Sequence, residues 1–256
     1  MSEYGNPEVA ILGMKADNNP VTRIESFAAA EDIGFGIPVF VYQGETEKCY
    51  KYHNDTGKIV YSTDFIADNS TIVTVDGEDT APVVFDTTHI LTITNLLAAI
   101  TALADVDAAL DPADTNNLTI LIRKKGADVV VSSATTLGIS QPTTVVTYIS
   151  DQVFAGVAMM IQKDVDSTDA RYRLNQTISV MSVGKLWASL KDEDILSGSV
   201  AYLETAGADA GKFSVDGSAV NCKFRSNKET NAATTDVMAN VEVNGQIKIN
   251  PVISWT

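Results

Sequence analysis

The sequence predicts a mainly β protein, with a β-barrel or sandwich core assembled from both ends of the chain and a small α+β domain set between them. Three observations carry that reading. Turn signals recur at about 8–12-residue spacing from 150 to the C-terminus, with alternating apolar positions between them. A run rich in β-branched and aromatic residues follows Pro38. A single stretch in the middle, beyond Thr94, has apolar residues at helical spacing instead.

Taken in order, residues 1–30 are mixed in polarity and broken by Pro20, and read as an N-terminal arm or a frayed terminus. Gly34 and Gly36 mark a turn before a strand at 38–43. Further strands are expected at 58–61, 71–75 and 82–85. Leu96, Leu97, Ile100, Leu103 and Ala104 then define the helix, with Thr94 as its N-cap. Pro112, Asn116 and Asn117 end it. The strand 118–122 leads through Lys125-Gly126-Ala127-Asp128 into Val129-Val130-Val131, which predicts a hairpin.

From Phe154 the pattern is β again. Val157, Met159 and Ile161 alternate, and so do Ile178, Val180 and Val183. Gly184 interrupts before Leu186, Trp187 and Ala188. A strand follows at 200–203. Phe213 and Val215 precede the hairpin-type turn Asp216-Gly217, and Val220, Cys222 and Phe224 come after it. Val241 to Ile249 around Asn244-Gly245 is the clearest hairpin signal of the chain. These elements divide 256 residues into an arm at 1–30, a core domain at 31–75 and 149–256, and an α+β domain at 76–148.

The net charge of −15 and pI of about 4.4 exclude a nucleic-acid binder, which needs Lys and Arg to displace counterions. They equally oppose docking on an anionic membrane. Between Lys58 and Arg123 there is no Lys or Arg, yet ten acidic residues from Asp64 to Asp114 lie there. That run is a solvated acidic face, or repulsion that keeps many copies apart. Met1 to Ala10 contains Glu3 and Glu8 and no apolar core of a secretory signal. Apolar stretches fall short of the roughly 18 residues of a membrane span. Cys49 and Cys222 do not form a disulfide framework; they read as free thiols, with a single bridge left open.

Catalytic and metal patterns are weak. Cys49, Cys222, His53 and His89 match no zinc spacing. Cys49 and His53 are four apart but not on a helix. Asp105, Asp107, Asp111 and Asp114, and likewise Asp164, Asp166 and Asp169, lack the glycine and terminal glutamate of a calcium loop and read as solvated turns. A paired-carboxylate glycosidase is expected to carry sugar-stacking aromatics, whereas Trp187 and Trp255 sit in apolar strand contexts. The cluster Arg123-Lys124-Lys125 is too small for nucleic acid. No catalytic, metal or cofactor-binding residue is assigned, and the chain is read as a non-enzyme.

Several stretches resemble the structural cement proteins of tailed-phage heads. They are 31–40, Phe154-Ala155-Gly156-Val157-Ala158, the run Thr177 to Ala188 ending Gly184-Lys185-Leu186-Trp187-Ala188, Ser197-Gly198-Ser199-Val200-Ala201-Tyr202 and Val241-Glu242-Val243-Asn244. The resemblance spans about 25–75 and 150–250. The stretch 76–148 then reads as an insertion, similar to small α+β modules of phage tail-sheath and flagellar filament proteins. The resemblance implies a virion protein made in the host cytoplasm that stabilises the capsid. Its partners are the major capsid protein and its own copies, as a dimer or trimer at a symmetry axis, with the N-terminal arm adding a strand to a neighbour. Phe27, Ile33, Phe35, Trp187 and Trp255 are the expected contact residues. The alternatives are a tail or baseplate component, or a displayed host-glycan binder.

Overall fold

The computed structural model describes residues 12–16, 22–134, 141–160, 171–230, 237–245 and 247–248. In chain order the elements are β1 (Arg23–Ala29), β2 (Ile33–Gly34), β3 (Pro38–Tyr42), β4 (Lys48–Cys49), β5 (Thr56–Tyr61), β6 (Ser70–Val75), β7 (Glu78–Asp79), β8 (Val83–Val84), α1 (His89–Thr101), β9 (Asp107–Leu110), β10 (Thr119–Arg123), β11 (Val131–Ala134) and β12 (Thr144–Ile149). They continue with β13 (Gln152–Ala158), β14 (Arg171–Tyr172), β15 (Thr177–Ser189), β16 (Val200–Leu203), β17 (Phe213–Ser214), β18 (Ser218–Phe224), β19 (Glu229–Thr230), β20 (Val237–Asn244) and β21 (Ile247–Lys248). The described residues form two units, one from 12–52 with 152–248 and the other from 53–151.

In the first unit, β15 pairs antiparallel with β1, β13 and β20. β1 pairs in parallel with β4. Tyr50, just past β4, exchanges backbone hydrogen bonds of 2.9 and 2.8 Å with Phe40 of β3. β3 pairs with β13, which returns to β15. Five strands thus run around a nearly closed barrel. Its interior takes one side-chain parity from each wall: Phe27 and Ala29 of β1, Val39 and Val41 of β3, Ile178 and Val180 of β15. Phe35 and Tyr172 pack edge to face within this core, ring centres 5.2 Å apart.

The opposite parity is buried too. Phe40, Phe154, Val157 and Met181 join Leu186, Phe213, Phe224 and Val241 in a second core. That core is lined by the strands that continue the sheet in the order β15-β20-β18-β16-β17. β3 is therefore buried along its whole length, which is why Pro38–Tyr42 reads as an unbroken apolar run rather than an alternating one. Two glycines let the walls serve both cores. The register with β3 slips between Phe154 and Gly156, so Ala155 and Ala158, three apart, share the barrel interior. Gly156 has φ +151, and a Cβ there would lie 2.3 Å from the Met181 carbonyl oxygen. In β15, Ile178 and Val180 face the barrel while Leu186 and Ala188 face the second core, and Gly184 at φ +138 stands between them.

In the second unit, an antiparallel sheet of order β12-β5-β10-β9 packs with a smaller one, β11-β6-β7, in which β8 also pairs with β6. Ile93, Leu96 and Ile100 of α1 pack at helical spacing against Ile59, Phe65, Val73, Ile120 and Val131. A buried ionic clasp ties the two ends of this unit. Asp55 precedes β5 and Asp151 follows β12; the Asp151 N–H donates to Asp55 Oδ1 at 3.0 Å. Arg123, at the end of β10 and 6 % exposed, donates to Asp151 at 2.8 Å and to Asp107 at 2.7 Å.

The mainly β expectation, with a nearly closed barrel-like sheet and one helix, holds, and several local readings change. The helix begins at His89, capped by the Thr88 hydroxyl, which accepts from the Leu91 N–H; Thr94 sits inside it and bonds back to the Ile90 carbonyl. Gly184 does not interrupt β15. Three expected hairpins are not hairpins. β10 and β11 lie in different sheets because β5 and β9 occupy both edges of β10. β17 and β18 both pair with β16. β20 has β15 on one edge and β18 on the other, so β21 pairs with β13. β5 and β6, expected in the core domain, pair with β10, β12 and β11 of the second unit. The described parts of the expected arm are paired within the chain: β1 along β15, and 12–16 beside Lys185 to Trp187. Residues 1–11 and 17–21 lie outside the described ones.

Two outcomes follow. Gly156→Ala is expected to lower stability by about 3 kcal/mol, read from denaturant unfolding of the whole chain, because both the backbone angle and the Met181 carbonyl oppose a Cβ. Arg123→Ala should cost roughly 3–5 kcal/mol by leaving the buried Asp151 carboxylate without its cation, and Arg123→Lys should cost less, since a point charge satisfies one carboxylate but not the fork.

Candidate functional site

The nucleophile and metal candidates resolve into structural roles. Cys49 is buried in the barrel core and Cys222 in the second core. Burial, reinforced by the Glu31 charge, pushes the Cys49 thiol up to about 12, and burial pushes Cys222 up as well, so neither is a thiolate at neutral pH. His89 stacks on Phe65; its Nδ1 accepts the Phe65 N–H at 3.0 Å and its Nε2 faces the Asn117 carbonyl at 3.2 Å. His53 lies 3.7 Å from Asp128. The four aspartates from 105 to 114 do separate work. Asp107 receives Arg123, and Asp111 receives Lys58 at 2.8 Å. Asp114 accepts the N–H groups of Asn116 and Leu118, each at 2.9 Å. Asp105 is an exposed turn residue at φ +57. Asp164, Asp166 and Asp169 fall outside the described residues. Among the described residues, no group of three His, Cys, Asp or Glu could hold a metal ion, and no helix is long and apolar enough to cross a membrane.

The expected contact residues fare differently. Phe27, Ile33 and Phe35 are brought together, but as barrel core, with at most 8 % of their surface exposed. They are spent on folding and present nothing to a partner in this conformation. Trp187 is half-buried on β15, its N–H bonded to the Met14 carbonyl. Trp255 lies outside the described residues.

Exposed apolar side chains occur in both units, among them Ile24, Leu174 and Leu196 in the first and Val130 and Val145 in the second; three others are grouped around the start of α1. Ile66, Ile90 and Leu91 are 64, 63 and 40 % exposed. They flank the Phe65–His89 stack, and the loop that carries Ile66 is held by Asn69, whose side chain accepts the Ile66 N–H and whose carbonyl accepts the Phe85 N–H. No sequence pattern singled them out, because an exposed isoleucine in a helix looks like a core position until the packing is known. A useful signal is the helix composition: His89–Thr101 contains no Asp, Glu, Lys or Arg, although a solvated helix face ordinarily carries charge.

The Lys58 ammonium, first, and the Ala113 N–H hold the Asp111 carboxyl below its ordinary 3.8, and the Thr119 hydroxyl with neighbouring N–H groups does the same for Asp114. A carboxyl with a depressed folded pKa stabilises above the unfolded value and loses that contribution as pH falls through the folded one. The melting temperature is therefore expected to fall on acidification below about pH 4. Lys58→Met should flatten that fall in a pH series of thermal melts.

Residues 108–244, more than half of the chain, match the family described as structural cement protein (E217 gp24/Pam3 gp6). The match opens at β9, inside the stretch expected to be an insertion, and runs through β20. No curated protein matches the chain. With more than half of its length matched, the chain belongs to the structural cement protein family of phages.

Proposed function

We propose that this chain binds the outside of the major capsid shell and stabilises it, associating with its own copies as a dimer or trimer at a symmetry axis. Membership of the structural cement protein family is the observation that carries the reading. The physics is binding without chemistry. Packed DNA pushes outward, the shell yields at junctions between subunits, and a protein that spans a junction adds its binding free energy there. A standard interface buries about 1,600 Å² in total. Many copies act together, so modest affinity at each contact is enough. The net charge of −15 keeps free copies apart before they assemble. Neither a cofactor nor a catalytic group enters the mechanism.

The test is cryo-electron microscopy of the virion, paired with heating of shells that lack the protein. Density bridging capsomers, with shells that open at lower temperature when it is missing and recover when it is added back, is the expected result. Density confined to the tail would make it a tail or baseplate component. Head density with no change in shell stability would make it a displayed binding protein.

A further inference from the structure

We infer that the outer face of α1, with the adjoining loop at 64–69, is the surface that docks on the shell, and that it fits an apolar ridge flanked by Lys or Arg. This assignment rests on the capsid-binding reading above and adds the face and the chemistry of its counterpart.

The first argument is that this face is dry by construction. Its exposed residues are Ile90, Leu91, Thr94, Asn95, Ala98 and Thr101. None is charged. The Thr94 and Thr101 hydroxyls each donate to the carbonyl four residues back, those of Ile90 and Leu97, at 2.9 Å. Asn95 is engaged with Asp86 at 3.4 Å. Both threonine hydroxyl donors are therefore satisfied inside the protein, and covering the face asks a counterpart to meet little beyond the remaining amide groups of Asn95. Ile66 extends the apolar area onto the loop beside it.

The second argument is charge. The face is bordered by Asp64, 66 % exposed, by Asp68 and by Asp86, and no Lys or Arg occurs from 59 to 122. A two-fold contact between two copies of this face would set these carboxylates against one another. A counterpart with Lys or Arg around an apolar ridge gains from them instead.

The test uses the full chain and shells of its own phage stripped of it. Glu at positions 90 and 98, introduced as Ile90→Glu with Ala98→Glu, should weaken shell binding about a hundredfold by placing charge in the centre of the contact. The acid at 90, in the first turn, favours the helix dipole and the one at 98, in the last turn, opposes it, so the two offset and the helix is expected to remain intact, as an unchanged melt would verify. Asp64→Lys, on the loop, is the second variant: it should weaken binding about tenfold at low salt and less at high salt. Leu196→Glu, equally exposed but in the first unit, should bind like the parent chain. Parent-like binding by the helix and loop variants, or equal loss from Leu196→Glu, overturns the assignment while leaving the capsid-binding reading intact. Failure of the parent chain itself to bind overturns both. Loss of an oligomer in sedimentation, with shell binding retained, would make the face a self-contact and overturn the assignment.

Discussion

β15 hydrogen-bonds to three other strands, and both cores of the first unit depend on how it changes partners along its length. Its first half closes the barrel between β1 and β13; its second half hands the sheet to β20 and the outer strands. A strand can line one core with its even positions and then another with the same parity only if the backbone turns over between them. Gly184 stands at that place, with the bulge at Gly156 making the matching adjustment on β13. These are backbone requirements that no apolar pattern can supply, which is why small residues stand where larger ones would otherwise fill the core.

The second unit meets a different constraint. Its chain enters and leaves close together, and those ends are joined by charge rather than by packing. Asp107, Arg123 and Asp151 come from separate strand ends, and the Arg123 fork can satisfy both carboxylates only when β9, β10, β5 and β12 are all in register. A buried ion pair of this kind adds little net stability compared with an apolar filling, but it penalises every alternative in which one member is left alone. Register is thereby specified in a sheet whose edge strand β12 has several exposed positions and a weak pattern of its own. The matched span of the cement family, 108–244, contains Arg123 and Asp151, while Asp107 lies one residue before it.

The sequence made strand positions and the β character legible, because alternation and turn residues are local. It made pairing much less legible. Asn244-Gly245 is the right chemistry for a tight turn, and Gly245 does adopt a positive φ, yet the following strand pairs with β13 because both edges of β20 are taken. The turns at 125–128 and 216–217 mislead for the same reason: a turn reports that the chain reverses, and only edge occupancy decides what it meets. The helix start was missed because Thr88 and Thr94 are both acceptable caps in isolation. Phe27, Ile33 and Phe35 were read as contacts because aromatic residues near glycine-rich turns suit an interface equally well; only the closed barrel assigns them to its interior.

An exposed apolar helix face would ordinarily be a liability for a protein made in many copies, since identical faces find one another first. Its acidic border changes that balance. Repulsion among Asp64, Asp68 and Asp86 acts between copies at the distance of approach, before the apolar surfaces touch, and is cancelled only by a counterpart that brings positive charge. In the docking proposed above, the same residues that keep free copies apart select the surface the protein settles on.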